Sequence, residues 1–339
     1  MIKVEIVADS ANSFGDRLTS LVLTYPRIIH SEMMTHRMFS RNASSSRAVP
    51  VDKMIKAVRE NTFCPFEFQK SHKGMQGSEY FTGADRQECI NLWLESAELA
   101  LQQAEKMKAK CISKQIINRI LEPYQYYTVL ITGSKEGWQN FFNLRCPSYK
   151  LIGLDEENVK SRKEWLEKIQ FSSALHPSMY PKTDVEWLQI NKGQAEIHIM
   201  DLAEKIYDAV NESTPKQLEA GEWHLPMLPD EAISLTIEDQ LKWCVGIHAN
   251  TSYTVVGDGK KLTLETASRI HDKCKEEVHS SVFEHCARAM NDEEYHRFVK
   301  GYSNTDYPED GFREGSYGWC NNLKGFIPYR YFIDNNLTF

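Results

Sequence analysis

Thr35-His36-Arg37-Met38-Phe39-Ser40-Arg41-Asn42-Ala43-Ser44-Ser45-Ser46-Arg47 puts one histidine, three arginines and four serines into thirteen residues, with no acid among them. Surface helices usually alternate their charges. A run that concentrates guanidinium and hydroxyl donors suits an anion such as a phosphate. The spacing predicts a largely helical segment that ends before Pro50, with His36 and Arg37 at its start and Ser45 and Arg47 about two turns further on. The plainer alternative is a solvated basic face.

Outward from this segment the pattern alternates strands and helices. Ile2 to Ala8 and Thr19 to Tyr25 read as strands, as does the β-branched run Tyr126 to Thr132. Val51 to Phe81 reads as a loop region with a few turns. Asp85 to Lys110 is a long amphipathic helix with Ile90, Leu92, Leu94, Ala97, Leu101 and Ala104 as its apolar face. Shorter helices follow at Ser113 to Leu121, stopped before Glu122-Pro123, and at Glu136 to Leu144. Ser148 to Lys192 is charged, contains Pro177 and Pro181, carries a helical piece from Glu156 to Gln170, and reads as an insertion outside the chemistry. Gln194 to Asn211 is a helix, and Trp223-His224-Leu225-Pro226 separates it from the last third. Leu262 to Val278 is a helix that delivers His279. The expected class is α/β (α+β), a mixed sheet with long helices. The expected organisation is residues 1–147, an insertion at 148–193, and 194–339 completing the same site in one catalytic domain.

Composition narrows the function classes. The chain has 339 residues, 41% hydrophobic and 26% charged, ordinary for a soluble globular protein. A net charge of −7 argues against a protein that coats polymeric nucleic acid, so a phosphate would meet a local patch. The eight cysteines include no Cys-x-x-Cys pair. Several, such as Cys64, Cys89, Cys244 and Cys286, sit in apolar contexts and read as free buried thiols of a reducing, cytoplasmic setting. No apolar run approaches ~20 residues, so no membrane span is expected, and no signal peptide is seen. His279 and His285 are six apart, a poor spacing for two ligands on one helical face, so no metal site is read. No cysteine has an evident activating context for covalent attack.

The opening segment resembles the signature of the flavin-dependent thymidylate synthases, Arg-His-Arg followed by seven residues and then Ser-x-Arg. Thr35-His36-Arg37, Ser45 and Arg47 fall in that register, Ser40 and Asn42 match, and Pro26 lies at the usual distance upstream. Thr35 replaces the first Arg, and Ala43 the Glu before the final Ser-x-Arg. Phe141-Phe142-Asn143-Leu144-Arg145 is similar to the family's flavin-contacting Asn-Leu-Arg. Gln194-Ala195-Glu196-Ile197-His198 is similar to its Ala-Gln-x-Glu-Ile-Arg helix start, with His198 for the closing Arg. The block expected at the N-terminus stands near the C-terminus instead, as Thr251-Ser252-Tyr253 and then His279-Ser280-Ser281-Val282-Phe283-Glu284-His285. The order implies a circularly permuted relative, or a divergent one with that order; permutation is physically cheap when termini lie at the surface and close together.

The resemblance implies the thymidylate synthase-like fold, FAD reduced by NADPH, and methylenetetrahydrofolate as one-carbon donor to C5 of a deoxypyrimidine nucleotide monophosphate, dUMP. It implies a homotetramer with sites shared between subunits. It assigns His36, Arg37, Asn143, Arg145, Ser252, His279, Ser281 and Glu284 to the flavin. Glu32, Thr35, Ser44, Ser45, Ser46, Arg47 and His198 fall to the nucleotide, with Glu32, Arg37 and His198 acting on the pyrimidine. Glu32 stands where the family often has Gln. No Arg stands on the Tyr126–Val129 strand, where relatives often place a phosphate ligand, and Arg119 or Arg41 would have to compensate. Two alternatives remain. One is a different C5 chemistry, hydroxymethylation or hydroxylation of dUMP or dCMP, motivated by Thr35, Ala43 and His198. The other is a flavin- or nucleotide-binding protein without turnover.

Overall fold

The computed structural model describes residues 2–74, 77–151, 158–169, 180–253, 262–300 and 314–338. β1 (Lys3–Ala11) and β2 (Arg17–Pro26) pair antiparallel across a tight turn. In that turn Asn12 Oδ1 accepts from the N–H groups of Phe14 and Asp16, both at 3.0 Å, the local bonding that makes Asn a turn residue. β3 (Ser40–Ala43), β4 (Tyr126–Ser134) and β7 (Lys216–Gln217) complete a sheet of order β3-β4-β2-β1-β7, antiparallel except for the β1–β7 pair.

Two expectations fail beside the opening segment. Residues 35–47 are not helical. α1 (His30–Met34) ends at Thr35, and Ser40–Ala43 is a strand paired with β4. Ser40 and Asn42 are buried while Arg41 and Ala43 are half-buried, a period of two written in polar residues. Pro50 does not stop a helix but starts one: it is the N-cap of α2 (Val51–Glu60), placed where a loop was expected. α2 packs Met54, Ile55 and Val58 against α3 (Gly83–Ala109) and α4 (Lys114–Leu121). α3 runs as expected, but it buries only Ala97, Leu101 and Ala104; Leu92 and Leu94 are exposed.

α5 (Lys135–Arg145) follows β4, and the region after it carries a two-stranded ribbon, β5 (Tyr149–Lys150) with β6 (Asn158–Val159). Two helices complete that region, α6 (Arg162–Ile169) and α7 (Asp184–Ile190). It has its own small core of Tyr149, Leu151, Val159, Trp165 and Trp187. The part of the expected Glu156-to-Gln170 helix before 158 and after 169 lies outside the described residues. α8 (Ile197–Glu212) lies against the large sheet, so Ile199, Met200, Leu202 and Ile206 share one core with Leu21, Leu23, Ile131 and Phe141.

The last third builds a second core. The segment that separates it, Trp223–His224, is itself a strand, β8, in a small sheet with β9 (Ala287–Ala289) and β12 (Phe326–Pro328). β10 (Trp319–Cys320) pairs with β11 (Leu323–Lys324). The helices here are α9 (Ile237–Asn250), which sequence reading did not anticipate, α10 (Leu264–Glu276), α11 (Asp292–Arg297) and α12 (Tyr329–Asp334). The whole is a mixed α/β protein. All eight cysteines are free; Cys146, Cys244, Cys274, Cys286 and Cys320 are buried, whereas Cys64 and Cys89 are only half so.

A buried polar seam joins the two cores. His224 bonds Ser10 Oγ through Nδ1 and Ser20 Oγ through Nε2, both at 2.8 Å. Ser20 Oγ meets Thr132 Oγ1 at 2.5 Å, and Thr132 Oγ1 meets His285 Nδ1 at 2.9 Å. The seam pins the 279–285 segment onto β4. Just beyond the same end of these strands, Lys324 lies between the carboxylates of Asp16 (3.4 Å) and Glu136 (3.2 Å). The neighbouring Gly325 has φ +76°, and a Cβ there would collide with Asn12 and Asp16.

Candidate functional site

After β3 the chain turns sharply. Ser45 O accepts from the N–H groups of Ala48 (2.9 Å) and Val49 (3.1 Å), and Ser45 N donates to Ser252 O (3.0 Å). That last bond brings together segments more than two hundred positions apart. Ser281 Oγ donates to Asn42 Oδ1 at 2.9 Å, and Asn42 Nδ2 donates to His248 O at 2.9 Å. Between them lies an open cavity of about 420 Å³ lined by Asn42, Ser45, Arg47, Lys114, Gln115, Ser252, Tyr253, Cys274, His279 and Ser281, among others. Arg47 and Lys114 have no carboxylate partner among the described residues. The cavity therefore presents two cations and several hydroxyls to solvent, a set that binds anions, while the His279 imidazole at its rim is bonded through Nε2 to Glu277 at 3.1 Å.

Five of the residues singled out in the sequence meet here: Ser45, Arg47, Ser252, His279 and Ser281. Three others from the same blocks do not. Ser44 Oγ donates to Thr128 O (2.9 Å) and accepts from Thr128 N (3.1 Å), so it extends the β3–β4 pairing. Ser46 is buried, and its carbonyl is held by Asn118. Glu284 is ion-paired to Arg330 of α12. Neither arginine considered as a compensating charge lines the cavity. Arg41 donates to Met34 O (2.7 Å) and His36 O (3.2 Å), and Arg119 is exposed on α4. The charge present instead is Lys114, 66 positions from its partner carbonyl at Ala48, which nothing in its local sequence marks.

A second cluster forms around Arg145. Its Nε donates to His36 Nε2 (3.0 Å), its Nη1 to Glu32 (3.3 Å) and its Nη2 to Thr35 Oγ1 (3.3 Å). Because His36 Nε2 accepts, the ring is the neutral Nδ1–H tautomer. Burial, with Arg145 and Arg41 adding to it, lowers the His36 pKa to about 4. Burial raises the Glu32 pKa, Arg145 opposes the rise and Glu196 adds to it. Arg37 is exposed and belongs to neither cluster.

His198 is buried in the first turn of α8. Nε2 accepts from Phe66 N–H at 3.2 Å, so Nδ1 carries the hydrogen, which it donates to Glu196 at 2.5 Å. The ring packs against Phe66 at a tilt of 46°, with centroids 4.1 Å apart. Both nitrogens are thus engaged within the chain. Asn143 is exposed and lines a different cavity of about 670 Å³, with Arg17, Gln139, Lys160, Tyr207 and Asn211.

No family model matches the chain, and no curated protein does either. Among solved structures, the chain is similar to the UMP/dUMP methylase PolB from Streptomyces cacaoi bound with 5-Br UMP. The identity is 16% over 62% of this chain and 88% of that one, with a TM-score of 0.41. For the same methylase bound with 5-Br dUMP the values are 14%, 63%, 98% and 0.35. Likenesses this distant bring neither substrate nor cofactor to this chain. No described helix is long and apolar enough to cross a membrane. Among the described residues, no three His, Cys, Asp or Glu are placed to hold a metal.

Proposed function

We propose that the chain is a flavin-dependent pyrimidine nucleotide C5 methyltransferase of the thymidylate synthase type, with a permuted motif order, acting on dUMP in the cytoplasm. One observation carries this reading. Three blocks remote in sequence, around Ser45–Arg47, Ser252 and His279–Ser281, bring their donors to one cavity, and these are the blocks that match the family's signature and its displaced N-terminal motif. Ser45 and Arg47 bind the nucleotide phosphate. The hydroxyls of Ser252 and Ser281 and the exposed imidazole of His279 fit the polar groups of a dinucleotide cofactor beside it. FAD, when bound and reduced by NADPH, supplies the hydride, and methylenetetrahydrofolate supplies the carbon.

The protein contributes orientation and electrostatics rather than covalent attack. Arg145 holds Glu32 and a neutral His36 in fixed positions, close enough to Glu196 for its charge to bear on Glu32. Asn143 lies in a separate cavity of the same chain, so this reading requires a homotetramer in which one subunit completes another's site. A second reading, C5 hydroxymethylation of dUMP or dCMP, is favoured by Glu32, whose burial keeps a proton on it to higher pH than an ordinary carboxylate.

Purified protein incubated with dUMP or dCMP, methylenetetrahydrofolate and NADPH separates the readings. A yellow preparation that bleaches with NADPH and adds one methyl mass to dUMP is expected. A hydroxymethyl product moves the assignment to the second reading. A colourless protein that binds no nucleotide ends both.

A further inference from the structure

We propose that Lys114 is a phosphate-binding residue that makes the cavity selective for a phosphomonoester dianion; the nucleotide identity of that ligand rests on the proposed function. Lys114 is the first residue of α4, and its Nζ donates to Ala48 O at 2.9 Å, which holds the ammonium one residue along the turn from Arg47. Both side chains line the same cavity.

The placement is fixed from beneath. Four residues along α4, on the same helical face, Asn118 is fully buried. Its Nδ2 donates to Ser46 O at 2.7 Å and to Val49 O at 2.8 Å. Those two carbonyls bracket Arg47 and Ala48, so α4 clamps the turn that presents Ser45 and Arg47 while offering Lys114 beside them. Asn118 Oδ1 has no partner among the described residues. An orphaned buried acceptor is unusual in a native fold, and here it accompanies a side chain committed to two donations.

Charge counting gives the ligand class. A phosphate monoester carries about −1.5 to −2 at neutral pH, against −1 for a diester. Two cations without carboxylate partners match the former. A single arginine would suffice for the latter. The carbonyl bond of Lys114 is exchangeable: the ammonium has three hydrogens and can keep Ala48 while donating to a phosphate oxygen.

The test is calorimetric titration of wild type, Lys114→Ala, Lys114→Arg and Arg47→Ala with dUMP, deoxyuridine and inorganic pyrophosphate. Lys114→Ala should weaken dUMP and pyrophosphate by about ten-fold, the weight of one charge-assisted contact, and leave deoxyuridine unchanged. Lys114→Arg should restore most of the loss. Unchanged dUMP and pyrophosphate affinity in Lys114→Ala, with Arg47→Ala weakened, overturns the inference and leaves the nucleotide reading standing. Equal losses for dUMP and deoxyuridine also overturn it, because they make Lys114 a structural residue. Binding of pyrophosphate that depends on Lys114, without dUMP binding, removes the nucleotide reading and keeps the anion site. No binding of either by wild type removes both.

Discussion

The two halves of the 35–47 segment use the same residue types in opposite ways. In the first half, Thr35 and His36 bond to Arg145, Arg41 caps two carbonyls, and Asn42 bridges Ser281 and His248. Apart from the exposed Arg37, the donors there are spent on the fold. In the second half, the Arg47 guanidinium has no partner among the described residues, and the Ser45 hydroxyl does no more than accept from Arg47 N–H at 3.3 Å. What separates a scaffold from a binding site is therefore unspent hydrogen-bonding capacity, not the presence of His, Arg or Ser. The same contrast holds between the closed histidine seam and the open cavity it supports.

The largest expected effect tests the closed part. Burial lowers the pKa of His224 to about 3 and that of His248 to about 4. Both therefore stay neutral in the fold while an unfolded histidine, near 6.5, takes up a proton. Unfolded chains then bind more protons, so stability is full above the unfolded value and falls as pH drops below it, continuing to the folded values. Each group contributes up to about 1.4 kcal/mol per pH unit across that window. At His248 burial prevails against the two carbonyls at its nitrogens, which favour the charged ring. Carbonyl oxygens of Val282 (3.2 Å) and Pro226 (3.1 Å) face its two nitrogens, yet a neutral ring donates to one only. Urea unfolding between pH 7 and pH 4 should show a steep loss, shallower in His224→Gln. A flat profile would break the claim that the seam is closed to protons.

Next in size is Arg145→Ala. It strands a half-buried Glu32 and a buried His36 and should cost about 1–3 kcal/mol. Arg145→Lys should not restore it, because one ammonium cannot replace the guanidinium fork that reaches three acceptors. A melting temperature equal to wild type in Arg145→Ala would place Arg145 on the open side of the comparison, free for a ligand.

Arg47→Ala is the converse. The side chain is exposed, so stability should stay within about 0.5 kcal/mol of wild type. The dUMP dissociation constant should rise about ten-fold or more, since a charged phosphate contact is lost. Flavin absorbance should not change. A variant that loses stability and keeps its affinity would turn Arg47 into a structural cap.

Much of the sheet and five of the helices were legible from their apolar residues: β1, β2 and β4 as β-branched and apolar runs, α3, α4, α5, α8 and α10 with helical spacing. β3 was not, since its buried positions are Ser40 and Asn42 and its partner, β4, lies some ninety positions downstream. Read locally, a run of Arg and Ser looks like a polar helix. α2 could have been found. Val51, Met54, Ile55 and Val58 hold the helical spacing, and Pro50 ahead of them is a start signal rather than a stop. Five of the cavity residues were legible through their motif register. Lys114 was not, because only the fold brings it to Ala48. Nor could spacing tell that both nitrogens of His198 are already occupied, which depends on Phe66 and Glu196 arriving from either side.

The smallest expected effect lies where the closed part hands over to the open one. α10 ends in a full Schellman arrangement: His279 N–H donates to Cys274 O at 2.9 Å and Val278 N–H to Lys275 O at 3.3 Å. The residue between them must be left-handed, and Val278 has φ 58°. Glycine is usual at that position. A β-branched residue there costs roughly 1–2 kcal/mol, and Val278, 76% exposed, has little packing to offset it. Strain of this kind persists where the surroundings over-determine the backbone, and here the seam bond to His285 and the Ser281–Asn42 bond hold the far end of the turn. Val278→Gly should therefore stabilise the fold by about 0.5–1 kcal/mol, the relief less the extra chain entropy of glycine. It should not tighten dUMP binding, because the stiffer valine already presents His279 and Ser281 to the cavity. Urea midpoints and a dUMP titration on the one variant check both halves. A loss of stability would show that the valine side chain makes contacts its exposure denies, and a gain in affinity would show that the turn is strained away from the ligand rather than set for it.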